Sequence, residues 1–130
     1  MSNIEDTRVL AKHFFDSIER GDIDAVQDCY APQARIWHNT DEVEQTREAN
    51  VDALRAFLRL IPSRVYADRR LHVFPGGFSQ QHELRGVRRD GANVRMQACV
   101  VCSVEGGQIT RLDEYMDSAQ VAALVGQAAV

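Results

Sequence analysis

Residues 64 to 116 carry the feature that most restricts what this chain can fold into. Four extended runs, at 64–74, 78–88, 93–105 and 109–116, are separated by Pro75-Gly76-Gly77, Asp90-Gly91 and Gly106-Gly107. These breaks hold the residues that tolerate positive φ, which tight hairpins demand. Consecutive strands joined so closely pair with their neighbours, so the spacing predicts a four-strand antiparallel meander. A sheet of that size must cover one face, and the rest of the chain has to supply the cover.

The first half supplies it. Ser2 and Glu5 form a capping box, and Leu10, Phe14 and Ile18 then recur at i, i+4 and i+8, with Ala11 and Phe15 widening the stripe. Gly21 stops this helix. Asp22 caps a short second helix carrying Ile23, Val26 and Tyr30, and Pro32 prevents its continuation. Residues 34–38 read as a short strand and 39–45 as a polar loop. A third helix follows, with Val51, Leu54, Leu58 and Ile61 on one face and a stop at Pro62. Asp117 or Ser118 caps a last helix containing Val121, Leu124 and Val125. The expected fold is α+β. A cone-shaped, curved mixed β-sheet, made of the meander plus one short strand, packs against three to four helices around an internal pocket, because long twisted strands curl.

Length and composition bound the function. A chain of 130 residues is the size of one domain, spanning 1–130. With 45% hydrophobic and 26% charged residues it has enough apolar surface to fold. A net charge of −4 argues against nucleic acid, whose phosphates require a basic excess. No apolar run approaches the ~20 residues of a membrane helix. The start, Met1-Ser2-Asn3-Ile4-Glu5-Asp6, lacks the basic and apolar regions of a signal peptide, so a cytoplasmic location is expected. Three cysteines fit a reducing compartment. Cys99 and Cys102 spell C-x-x-C, but residues three apart on a strand point to opposite faces and cannot converge on a metal or a disulfide. His13 and His72 lack convergent partners. No metal-binding spacing and no glycine-rich nucleotide loop occurs, so neither metal nor cofactor is expected.

The segment FFDSIERGDIDAVQDCYAPQARIWHN and the ending VEGGQITRLDEYMD together resemble the nuclear transport factor 2-like superfamily. The likeness covers essentially the whole chain and is nearest to the SnoaL-like branch. That branch includes polyketide cyclases and lies close to limonene-epoxide hydrolases and ketosteroid isomerases. It implies a cone-shaped fold, a small-molecule pocket and a homodimer formed through the sheet. Ketosteroid isomerases place a carboxylate base on the first strand, a tyrosine on the first helix and a protonated aspartic acid in the sheet. Matched through the G-D-x-D turn, those positions are His38, Phe14 and a residue near Val100. Phe14 and Val100 cannot donate a hydrogen bond to an enolate, so a faithful isomerase site is not implied. Limonene-epoxide hydrolases hold a water between two carboxylates bridged by an arginine. The corresponding positions are Glu114 and Glu83, with Gln81 where the arginine would stand.

Residue by residue, His38 is the leading candidate base. It shares a strand face with Ile36, a core residue by pattern, and a neutral imidazole exchanges protons near pH 7. Glu114 alternates with Leu112 and Met116 on the last strand, as a pocket-facing acid or orienting carboxylate would. The middle strand leaves two registers open. One turns Phe78, Gln80, His82 and Leu84 inward and pairs His82 with His38. The other follows from a two-residue turn at Asp90-Gly91 with Val94, Met96 and Ala98 inward, and presents Gln81 and Glu83. Trp37 and Tyr30 would give flat apolar area at the mouth, and Asn39 and Asp41 a polar rim. The resulting expectation is a cofactor-independent enzyme that moves protons on a small, apolar, oxygenated molecule. His38, Glu114 and His82 would be catalytic, with Phe14, Met96, Val100 and Met116 among the lining. A non-catalytic ligand-binding or dimerisation module is the rival reading. Val101 and Leu71 would form the apolar outer face of the homodimer.

Overall fold

The computed structural model describes residues 3–126. Its elements run α1 (Ile4–Arg20), α2 (Ile23–Cys29), β1 (Tyr30–His38), β2 (Glu44–Thr46), α3 (Arg47–Leu60), β3 (Ser63–Phe74), β4 (Gly77–Val87), β5 (Asn93–Glu105), β6 (Gln108–Met116) and α4 (Ser118–Leu124). The strands form one curved, unclosed mixed sheet in the order β2-β1-β6-β5-β4-β3. β3 to β6 are the expected antiparallel meander, and β1 joins β6 in parallel.

Ser2 of the expected capping box lies outside the described residues. Asn3 caps α1 instead, its side chain accepting from the Asp6 N–H at 2.7 Å. Gly21, at φ 78°, ends the helix by donating back to Ile18 and Ser17, a left-handed conformation that glycine adopts without steric cost. The buried face of α1 is Ala11, Phe14, Phe15 and Ile18, as the i, i+4 stripe predicts, and each aromatic side chain buried there contributes about 2–3 kcal/mol.

Three expectations need correction. Tyr30 does not belong to α2: it has extended backbone and opens a β1 longer than the predicted strand. Pro32 forces Ala31 towards extended geometry, and the register shift between Tyr30 and Arg35 absorbs a residue with no N–H to give. β2 is a second correction. Glu44, Gln45 and Thr46 pair antiparallel with β1 at the sheet edge, where largely solvated side chains leave no apolar alternation to read.

The third concerns Leu71, expected on the outer face. Asp68 and Arg69 bulge out of β3 between the pairs Ala67↔Glu83 and Arg70↔Gln81. One extra residue inverts the alternation that follows, so Leu71 and Val73 pack against the helix-side core. Asp68 sits at φ 56°, a conformation that favours Asn, Asp and Gly.

The two registers left open for β4 are resolved by the β4–β5 loop. Val87 pairs with Asn93, so the loop is five residues long rather than two, and His82 stands opposite Ala98. Phe78, Gln80, His82 and Leu84 therefore face the helices with Met96, Val100 and Cys102. Cys102 is buried while Cys99 lies on the other face.

Candidate active site

The helix-facing concavity of the sheet holds a cavity of about 210 Å³. That is smaller than the ~300–1,000 Å³ of pockets for drug-sized ligands, which suits a molecule of one or two rings. Its walls are mostly apolar. Phe14, Ile18, Leu54 and Phe57 come from the helices, and Ile36, Met96, Val100 and Met116 from the sheet.

At one end stand His38 and Glu114. They are register partners on the parallel strands β1 and β6, so both side chains leave the sheet on the same face and in the same row. His38 Nε2 lies 3.3 Å from Glu114 Oε1, and each side chain is 20% exposed. Burial pulls the imidazole's pKa down. The Glu114 carboxylate, by hydrogen bond and by charge, and Asp41 more than offset that, so it lies above the usual 6.5. Among the described residues none hydrogen-bonds His38 Nδ1, and no fully buried side-chain nitrogen or oxygen lacks a partner. Nδ1 is therefore not sealed off, and its ring lines the cavity.

Asn39 fixes this pair. Its Nδ2 donates to the Met116 carbonyl at 3.0 Å, its Oδ1 accepts from the Met116 N–H at 2.8 Å, and its own N–H donates to the Glu114 carbonyl at 3.0 Å. The amide extends the β1–β6 ladder one step beyond His38. Asn39 was expected on the pocket rim and instead holds the two strands together.

At the β4 end stands His82. The Gln80 amide nitrogen lies 2.9 Å from its Nδ1. Burial lowers its pKa, partly opposed by the Glu114 charge and reinforced by Arg69. The ring is packed edge-on against Phe15, at 5.3 Å between centroids, and Tyr66, at 4.7 Å. Tyr30 lines the floor, its hydroxyl donating to Asn50 Oδ1 at 3.1 Å, and Asn50 in turn donates to Gln45 Oε1 at 3.1 Å.

Of the expected site residues, His38, Glu114, His82, Phe14, Tyr30, Met96, Val100 and Met116 line this one cavity. Trp37, Gln81 and Glu83 do not. Trp37 is one residue out of phase with Ile36 and His38 and packs on Tyr115 at 5.5 Å, on the outer face of the sheet. Gln81 points outward because the five-residue loop sets the register, and Glu83 pairs there with Arg85 and Arg95. The epoxide-hydrolase arrangement of carboxylates is therefore not assembled: Glu83 and Glu114 lie on opposite faces of the sheet. Sequence reasoning missed Tyr66, Asn50 and Phe57. Asn50 and Phe57 follow the α3 stripe of Val51 and Leu54 at helical spacing, a usable signal. Among the described residues no three His, Cys, Asp or Glu side chains converge as metal ligands would. No helix there is long and apolar enough to cross a membrane.

Comparison with solved structures finds the same fold. A polyketide cyclase candidate from Xanthomonas campestris pv. campestris superposes with a TM-score of 0.85 at 19% identity, over 96% of this chain and 100% of its own. IdmH, a polyketide cyclase candidate from Streptomyces antibioticus, gives 0.80 at 14% identity, over 92% of this chain and 98% of its own. A ketosteroid isomerase candidate from Kribbella flavida gives 0.71 at 18%, over 90% and 82%. At these identities the likeness speaks for the fold. Among curated proteins none matches by sequence. The sequence itself matches the SnoaL-like domain over residues 11–112, most of the chain, and the protein therefore belongs to the SnoaL-like domain family.

Proposed function

We propose that this protein is a cofactor-independent acid–base enzyme acting on a small, mainly apolar carbonyl compound, of the size of a cyclic ketone or a short polyketide or terpenoid. The observation that carries this reading is the His38–Glu114 pair, set at one end of a mostly apolar cavity. Its parts match the demands of proton transfer. Glu114 faces Nε2 and stabilises the imidazolium, while Nδ1 is left free to take a proton from substrate, as a base oriented by a carboxylate does. Apolar walls strengthen the interaction of any charge that develops inside. The neutral form of His38 is the base, so activity rises with pH through its elevated pKa. Isomerisation, aldol-type cyclisation and dehydration all begin with such a step.

The test is carbon-acid exchange. Cyclic ketones and 1,3-diketones are incubated with the protein in D2O, and loss of the proton signal next to the carbonyl is followed by NMR. Exchange above the buffer rate, absent in His38→Gln, supports the proposal. Ligands that bind without exchange under any condition point to a binding module instead.

We also propose a homodimer through the outer face of the sheet, where Tyr115 is 48% and Val101 38% exposed beside Trp37. Apolar area of this kind in the middle of a sheet favours a covered state. Light scattering at micromolar concentration tests this, and a monomer mass refutes it.

A further inference from the structure

Tyr66 is built into the cavity wall more firmly than a packing residue needs to be. Its ring is edge-on to Phe15 at 5.5 Å and to His82 at 4.7 Å, and the Arg69 guanidinium lies over it at 5.9 Å. Its backbone N–H donates to Glu19 Oε2 at 3.2 Å. Arg69 is itself held by Asp16 at 2.7 Å and Glu19 at 2.6 Å of α1. The residue is thus fixed on several sides, yet its hydroxyl makes no hydrogen bond to any described residue. Among the described residues no fully buried polar side-chain atom lacks a partner, so this oxygen is not sealed off, and it belongs to a side chain that lines the cavity.

The β3 bulge explains how it comes to be there. Asp68 and Arg69 oppose His82, the residue of β4 skipped between the pairs on either side. Arg69 can reach α1 and cover the Tyr66 ring because the bulge breaks the alternation at that point. Bulges and residues at positive φ concentrate where a side chain must be aimed. His82 is aimed as well. With the Gln80 amide donating to Nδ1, the proton of neutral His82 sits on Nε2, so its remaining ring nitrogen is a donor.

Tyr66 and His82 are therefore two neutral donors side by side. Glu114, Val100 and Gln80 form one row across β6, β5 and β4, and His82 is two residues along from Gln80. Glu114 on β6 and His82 on β4 are two strand spacings apart, with His38 on β1 and Tyr66 on β3 one strand further out on either side, and the curved sheet turns all four side chains into the same cavity.

We propose that Tyr66 and His82 together receive the carbonyl oxygen of the substrate and hold the negative charge that gathers on it. This rests on the proton-transfer reading above. In the step, a carbon next to the carbonyl gives its proton to His38 Nδ1. The C–H pair becomes the new C=C bond, and the carbonyl π pair moves onto oxygen, which Tyr66 and His82 hydrogen-bond as an enolate. Protonation at the same or another carbon then regenerates neutral His38. The substrate class narrows accordingly to ketones and related carbonyl compounds with an acidified C–H, and excludes epoxides.

The probe is 4-nitrophenol, a planar molecule whose anion carries its charge on oxygen as an enolate does, and whose protonation state is read from its absorbance. Its binding needs no catalysis, so failure here is distinguishable from failure of the proton-transfer reading, which ketone exchange tests separately. The wild-type protein is expected to bind the phenolate form. Tyr66→Phe keeps the ring contacts and is expected to weaken that binding about 10- to 100-fold, the usual worth of one hydrogen bond to a charged group, with an unchanged melting temperature. Nitrogen-15 shifts of His82 are expected to report protonation at Nε2. Equal phenolate affinity in Tyr66→Phe, binding of the neutral phenol only, no binding by the wild type at millimolar probe, or a proton on His82 Nδ1 would each overturn the proposal.

Discussion

Replacing Glu114 by Gln tests the pairing on which the site depends, because it removes the charge and keeps the shape. Two unit charges 3.3 Å apart interact by about 5 kcal/mol at an effective dielectric constant of 20 and by about 1.3 kcal/mol in bulk water. His38 and Glu114 are each 20% exposed, so the pair lies between these limits, at roughly 1.5–3 kcal/mol. At 1.36 kcal/mol per decade that is about a 10- to 100-fold loss of proton affinity at His38. Once Glu114 is neutral, burial opposes the imidazolium with only Asp41 in its favour, and the pKa should fall from above 6.5 to below it. The assay is an NMR titration of the four histidine rings, with His38 assigned by the disappearance of its signal in His38→Gln. An unchanged His38 pKa in Glu114→Gln would refute the pairing. A larger movement at His82 than at His38 would do the same.

Three further outcomes follow from the structure. Asn39→Ala leaves the Met116 N–H and C=O without partners and should cost about 1–3 kcal/mol; calorimetry should also find it less active than its stability loss alone explains, because His38 and Glu114 lose their common register. The two cavity histidines should shape stability against pH in opposite senses. The folded pKa of His38 is raised, so its contribution is complete below 6.5 and is lost as pH rises through the folded value; the folded pKa of His82 is lowered, so its contribution is complete above 6.5 and is lost as pH falls through the folded value. Melting temperatures across this range should show the high-pH decline reduced in His38→Gln. Phe78→Ala, at a position with 0% exposure in the core beneath α1, should cost about 3–5 kcal/mol by chemical denaturation, and a loss below 1 kcal/mol would contradict that packing.

The meander was readable because its turn residues punctuate it: Pro75-Gly76, Asp90-Gly91 and Gly106-Gly107 mark three hairpins whatever the register between them. His38 and Glu114 were readable for a related reason, since each alternates with an apolar residue whose burial is not in doubt. Single-residue changes of register decided what the alternation alone left wrong or open. The bulge at Asp68 and Arg69 reverses every side chain after it, which hid the inward turn of Leu71. The β4–β5 loop length decided between His82 and the Gln81–Glu83 alternative, and a dipeptide such as Asp90-Gly91 is compatible with either length. Asn39 looked like a rim residue because its partner is a backbone 77 positions away, which no local pattern reveals. Nothing local marks Tyr66, because a tyrosine in a strand is ordinary, and its distinction, a hydroxyl with no partner among the described residues, exists only in three dimensions.

Whether His38 removes a proton from a bound molecule is read by comparing His38→Gln with the wild type in two readouts at once: melting temperature and single-turnover rate on a ketone that the wild type exchanges. Gln keeps size and hydrogen bonding but cannot accept a proton. The rate is expected to fall by about two to four orders of magnitude, the usual value of a positioned base, in a protein whose fold is intact. Full activity in a protein destabilised by roughly 1–3 kcal/mol would contradict it, because His38 would then be a hydrogen-bonded wall residue rather than the base.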